Sequence, residues 1–172
     1  MRLLLNSCLF NLAWFGCVYW GNGAALLVPV WAGLHLWQSA RPKAEALLLI
    51  SVMVGGALLD SLWMLTAVFI FPGQPWLLPF WLLMLWLAFA MTLNGYLSVL
   101  KGRVWLQSLA GALAGPFSYW AGQQLGAVQF GAPLPWVLLM LSLAWAALLP
   151  ALFLLNQRVY GVTHEKTLFG AG

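Results

Sequence analysis

The sequence predicts an all-α membrane protein, a bundle of six transmembrane helices with the N- and C-termini both cytoplasmic. Three observations predict it. First, 64% of the 172 residues are hydrophobic and only 6% are charged, where a soluble domain carries roughly 25% charged residues. Second, the seven cations fall in short clusters between long apolar runs. Arg2, then Arg41 and Lys43, then Lys101 and Arg103, then Arg158 and Lys166 lie at alternate ends of successive runs, while the connections 21–23, 72–76 and 127–134 carry no charge. That is the positive-inside pattern at every loop. Third, Trp20, Trp37, Trp76, Trp105 and Trp136 sit at predicted helix ends, where an interfacial aromatic belt belongs. The net charge of +4 is therefore loop charge. No stretch joins a basic patch to polar, exposed aromatics, so nucleic acid is not an expected partner.

The transmembrane domain is expected over 1–157. Its first helix covers 3–20. Asn6 and Asn11 interrupt the apolar run and no small-x-small cleavage site follows, so the segment reads as a retained helix rather than a signal peptide. Cys8 and Cys17 within it fall on opposite faces, about 13 Å apart along the axis, too far to bond. Gly21-Asn22-Gly23 is a turn signal. The second run, 24–38, spans only about 22 Å, less than a hydrocarbon core. Arg41, Lys43 and Glu45 occupy the next loop, with Pro42 as a breaker. A long third helix is expected over 46–71, a fourth over 77–100, a fifth over 104–126 and a sixth over 135–157. The remainder, 158–172, reads as a short polar cytoplasmic tail holding His164, Glu165 and Lys166.

Small residues organise the fifth helix. Ser108, Gly111, Gly115, Ser118, Gly122 and Gly126 recur at spacings of three and four, so they share one helical face. In lipid such a face is a packing groove, and Gly111-x-x-x-Gly115 is the small-x-x-x-small pattern. It suits packing within the protomer or a face for a homodimer or another membrane protein. Pro116 sits inside the run and is expected to kink it.

Asp60 is the only acid inside a predicted span, about 22 Å from the helix end near Glu45. An ionised carboxylate there is costly, and such residues usually face the bundle interior. Counting from the same side places Tyr119, Trp86 and Trp145 at about the same depth, with Ser118 beside Tyr119 and Trp63 a turn along from Asp60. Two readings stand: a protonatable or cation-binding carboxyl in an aromatic pocket, or structural glue hydrogen-bonded to Tyr119 or Ser118. A second polar set, Asn6, Asn11, His35, Thr92 and Asn94, lies about 6 to 14 Å from the basic ends. It reads as an inward-facing vestibule or as interhelical hydrogen bonding. His35 alone does not make a metal site, which needs convergent ligands, and no cofactor is expected. GxSxG, phosphate-loop, HExxH, CxxC and paired-carboxylate patterns are all missing.

Four motifs carry a family resemblance: Asn6-x(4)-Asn11-x-x-Trp14, Leu58-Leu-Asp60-Ser-Leu, Trp86-Leu-Ala-Phe89-Ala-x-Thr92-Leu, and Gly111-x(3)-Gly115-Pro-x-Ser118-Tyr119-x-Ala-Gly122. Together they resemble a family of small bacterial inner-membrane proteins known only as a domain of unknown function. The resemblance implies a multi-pass inner-membrane location and no established activity. It also implies gene neighbours similar to cyclopropane-fatty-acid synthases, and hence a role near membrane-lipid modification. The expected function is an accessory or interaction protein whose fifth-helix groove holds an acyl chain or a partner helix, with membrane lipids as partners. The alternatives are a small-solute or ion transporter using Asp60, or a lipid-modifying enzyme with Asp60 and Tyr119 as its acid–base pair.

Overall fold

The computed structural model describes residues 2–73 and 76–169. Gln74, and the side chains of His164, Glu165 and Lys166, lie outside the described residues. The chain forms α1 (Arg2–Trp20), the single turn α2 (Asn22–Ala25), α3 (Leu27–Trp37), α4 (Pro42–Leu65), β1 (Phe69–Ile70), α5 (Phe80–Leu93), a tight helical turn over Tyr96–Leu100, α6 (Val104–Gln124), β2 (Gln129–Phe130) and α7 (Leu134–Phe169). Three stretches, Leu3–Trp20, Pro42–Leu65 and Leu134–Gly161, are long and apolar enough to cross a membrane. α5 is apolar but shorter.

α5 is the centre of the bundle. It packs against α1, α3 and α4, while α7 lies along α6 and also touches α4. Leu82, Met84, Trp86, Ala88, Ala90, Met91 and Leu93 of α5 are all buried, as a helix that is apolar all round requires. Cys17 is buried and Cys8 exposed, so the two thiols do lie on different faces of α1.

Each departure from the expected boundaries has a local cause. The run 24–38 breaks at Leu26, because Pro29 has no N–H to give the Ala25 carbonyl. Pro42 does not break a loop; it opens α4 at its first turn, where a missing N–H costs nothing. Glu45 is thereby drawn into the helix. α4 ends at Leu65 rather than 71. Val68 N bonds Trp63 O and Ala67 N bonds Met64 O, a Schellman cap, with Ala67 at φ 55° where glycine is usual. The same cap closes α6, through Ala127 N to Gly122 O and Gly126 N to Gln123 O, with Gly126 at φ 77°.

The run 77–100 is helical only over Phe80–Leu93. Asn6 of α1 ends it: its Oδ1 accepts from Tyr96 N at 3.1 Å and its Nδ2 donates to Met91 O at 3.4 Å. A Cβ on Gly95 would sit 1.9 Å from that Oδ1, so only glycine admits the cap. At the other end, Asn22 Oδ1 accepts from Trp81 N at 3.1 Å, one of the free donors of the first turn of α5. β1 and β2 pair antiparallel, Phe69 opposite Phe130 and Ile70 opposite Gln129. This ribbon, unexpected in an all-α reading, ties the α4–α5 connection to the α6–α7 connection. Finally, α7 does not stop at 157; it continues through most of the expected tail to Phe169.

α6 runs through Pro116 without interruption. Proline leaves the Ala112 carbonyl without its i+4 donor, and Ser142 Oγ of α7 donates to that oxygen at 2.9 Å. The small-residue set divides. Cβ atoms on Gly111 and Gly115 would lie 2.2 Å from the Trp145 carbonyl oxygen and 2.2 Å from Trp145 Cγ. These two glycines are the seat of α7. Gly122 has only Val128 Cγ1 near it, at 3.9 Å, and Gly126 lies beyond the helix as its cap. Ser108 is half-buried. The expected single face is thus a two-glycine seat followed by an open stretch and a cap.

Candidate functional site

Asp60 is fully buried on α4. Trp86 Nε1 of α5 donates to its Oδ2 at 2.6 Å, and the Tyr119 hydroxyl of α6 donates to its Oδ1 at 2.7 Å. One carboxyl therefore joins three helices. Gly56, a turn earlier on α4, makes the room: a Cβ there would meet Trp86 Cδ2 at 2.0 Å. Trp86 stacks flat on Trp145, with ring centroids 5.5 Å apart and planes 6° from parallel. Tyr119 stacks on Phe69 at 5.0 Å, and Phe69 on Phe130 at 5.7 Å. Trp145 Nε1 is buried and has no hydrogen-bond partner among the described residues.

The residues counted to one depth are placed unequally. Trp86, Tyr119 and Trp145 surround Asp60. Trp63 does not bond it; it lies against Phe69 at 6.4 Å. Ser118 turns the other way, and its Oγ accepts from Trp14 Nε1 of α1 at 2.8 Å. The aromatic wall fixed by Asp60 is one side of a cleft. Phe10, Trp14 and Val18 of α1, Leu82, Leu85, Trp86 and Phe89 of α5, Ser118, Tyr119 and Gly122 of α6, and Trp145 of α7 line it, with Phe71, Trp81 and Val128 at one end. Its volume is about 70 Å³ and it is open on one side. Asp60 itself does not line it. Among the described residues, the only direct polar tie between α1 and α6 across it is the Trp14–Ser118 hydrogen bond.

A second centre lies at the end of the bundle that carries Arg41 and Lys101. Glu45, almost completely buried, accepts at Oε1 from His35 Nε2 at 2.8 Å. Its Oε2 accepts from Asn94 Nδ2 at 3.0 Å and from the Tyr160 hydroxyl. Asn94 Oδ1 in turn accepts from Lys101 Nζ at 2.7 Å and from Asn156 Nδ2 at 2.8 Å. The Arg41 guanidinium lies 6.0 Å from the Tyr160 ring centre. This clasp joins α3, α4, α7 and the end of α5, and both Glu45 oxygens and Asn94 Oδ1 accept hydrogen bonds in it. Of the expected polar set it contains only His35 and Asn94. Asn6 caps α5 as described, Thr92 bonds Phe89 O of its own helix, and Asn11 bonds Ser7 O of its own helix. No group of three or more His, Cys, Asp or Glu side chains with metal-site geometry occurs among the described residues.

Glu45, Asn156 and Tyr160 were not singled out from sequence. The signals were present. Proline followed three residues later by an acid marks a helix start, and Asn156 and Tyr160 are an i, i+4 pair on one face.

Residues 3–151 match the family described as "Protein of unknown function (DUF2878)". The chain belongs to this family. The match spans α1 to the middle of α7 and so includes the DUF2878 chain's Asp60 centre, its cleft and Glu45. No curated protein and no solved structure matches this DUF2878 chain. The motif resemblance was to a family without an assigned function, and DUF2878 is one.

Proposed function

We propose that this chain is a lipid-binding accessory protein of a bacterial inner membrane, with its helices arranged as six passes and both termini cytoplasmic. The charge pattern supports the orientation, with cations clustered at one set of loops and none at the other. One observation carries the binding reading: the cleft between α1, α5, α6 and α7 is almost wholly apolar and is open on one side. An acyl chain fits that chemistry. Transport through Asp60 finds less support, because both its oxygens are held by Trp86 and Tyr119 and it is walled off from the cleft. An Asp60–Tyr119 acid–base pair finds less support for the same reason, since of the two only Tyr119 lines the cleft. That α7 already occupies Gly111 and Gly115 supports packing within the protomer at that face over a homodimer there.

The test is native mass spectrometry of the purified protein. Wild type is expected to carry a bound acyl lipid. Gly122→Leu puts a side chain into the cleft from a position where a Cβ has only ordinary contact. It should fold and lose the lipid. A Gly122→Leu variant that keeps its full lipid load refutes the reading. A lipidome of a deletion strain tests the link to lipid modification, and an unchanged profile would remove it.

A further inference from the structure

The apolar cleft does not end blindly. Val18, Phe71 and Trp81 at its end also line a second, wider cavity. That cavity has a volume of about 510 Å³ and opens to the outside between the ends of α1 and α6 and the start of α5. Its lining is mixed where the cleft's is apolar. Tyr19 stands exposed at its rim. Asn22 uses Oδ1 on Trp81 N, and its Nδ2 has no partner among the described residues. The molecule thus holds a narrow apolar slot continued by a half-polar vestibule, the two halves of a site for an amphiphile.

The vestibule's charge is the telling feature. Among the described residues, no Lys, Arg, His, Asp or Glu lines it. The sequence makes this robust: residues 3–40, 61–100 and 104–157 contain no Lys, Arg, Asp or Glu at all. A phosphate or carboxylate seated there would give up water with no cation or acidic partner to answer it. Hydroxyl, amide or sugar groups would find the Asn22 amide and the Tyr19 phenol.

We infer that the cleft and the vestibule form one site for a single-chain amphiphile with an uncharged polar head, the chain lying along Trp86 and Trp145 and the head beside Tyr19 and Asn22. This rests on the acyl-binding reading of the cleft and adds the class of head. The ligand enters from the uncharged end of the bundle, opposite the Glu45 clasp.

The experiment incubates the purified protein, in a detergent without an alkyl chain, with equal amounts of monooleoylglycerol and oleoyl lysophosphatidylglycerol. Native mass spectrometry counts the adducts. The two probes share their chain and differ in charge. Wild type should capture the neutral lipid at least about tenfold better. Tyr19→Lys, at an exposed position, supplies the missing cation and should bring the two within about threefold of each other. Equal capture by wild type, a preference for the anion, or a full wild-type preference surviving in Tyr19→Lys overturns the head assignment and leaves the acyl-binding reading standing. Capture of neither lipid overturns both.

Discussion

Adding one methyl group at Gly56 should strike the centre of the molecule. Built there, a Cβ lies 2.0 Å from Trp86 Cδ2 and 2.3 Å from both Cε2 and Cε3. Ordinary carbon contact begins near about 3.5 Å, so the indole must retreat by about 1.5 Å. It has nowhere to go cheaply. Its Nε1 is tied to Asp60 at 2.6 Å and its far face is stacked on Trp145. Overpacking of this kind costs about 1–3 kcal/mol, and losing a hydrogen bond to a carboxyl adds about 1.5–3 kcal/mol. Set against a helix-propensity gain of about 1 kcal/mol for Gly→Ala, Gly56→Ala should destabilise by about 1.5–5 kcal/mol. Gly55→Ala is the matched control. It makes the same chemical change one residue away, where a Cβ meets nothing within 4 Å, and it should melt at or above wild type. Thermal unfolding followed by tryptophan fluorescence and near-ultraviolet circular dichroism in one detergent compares the two. If Gly56→Ala and Gly55→Ala melt together, the packing of Trp86 against α4 is wrong.

Four further outcomes are expected. Gly115→Leu should destabilise by at least about 1–3 kcal/mol in the same melts, because its Cβ alone would reach Trp145 Cγ at 2.2 Å, while Gly122→Leu should be milder. Ala67→Gly should stabilise by about 1 kcal/mol, since it removes the cost of a left-handed alanine; a lower melting temperature would argue against that cap. Asp60→Asn keeps an acceptor for Trp86 or Tyr119 and should fold, whereas Asp60→Leu strands both donors and should lose about 2–4 kcal/mol; equal loss in the two variants would mean that the hydrogen bonds do not hold the wall. Glu45→Leu leaves His35 and Tyr160 without their acceptor and Asn94 with only the Tyr160 hydroxyl and should cost about 3–5 kcal/mol, and a melt indistinguishable from wild type would dissolve the clasp.

The Asp60 neighbourhood was legible in the sequence because depth along a helix is a matter of counting. Asp60, Trp86, Tyr119 and Trp145 lie at matching distances from the basic loops, and the fold joins them. Rotation about the helix axis is not fixed by that count, which is why Tyr119 and Ser118 stood as alternative partners of Asp60; Tyr119 bonds it and Ser118 meets Trp14. Helix ends were the weaker part. Ala67 caps α4 in a conformation that nothing in an alanine announces. Asn6 ends α5 from 90 positions away in sequence, and no local pattern carries that. A two-residue ribbon such as Phe69–Ile70 has no periodicity to read. Glu45 was missed for a different reason. Placed in a basic loop, it looked like a solvated charge, and only its inclusion in the first turn of α4 turns it inward.

The Ser142 bond to the Ala112 carbonyl bears on how the chain enters a bilayer at all. α6 is not among the stretches apolar enough to cross alone, and Pro116 leaves it with an open carbonyl that hydrocarbon would punish. Both debts are settled by the next helix: Trp145 covers the two glycines and Ser142 answers the carbonyl. On the six-pass reading proposed above, α6 has reason to wait at the insertion machinery for α7, the two partitioning together as a hairpin. Translation halted before Ser142 should leave α6 exposed to the aqueous side, and releasing the remaining residues should bury it.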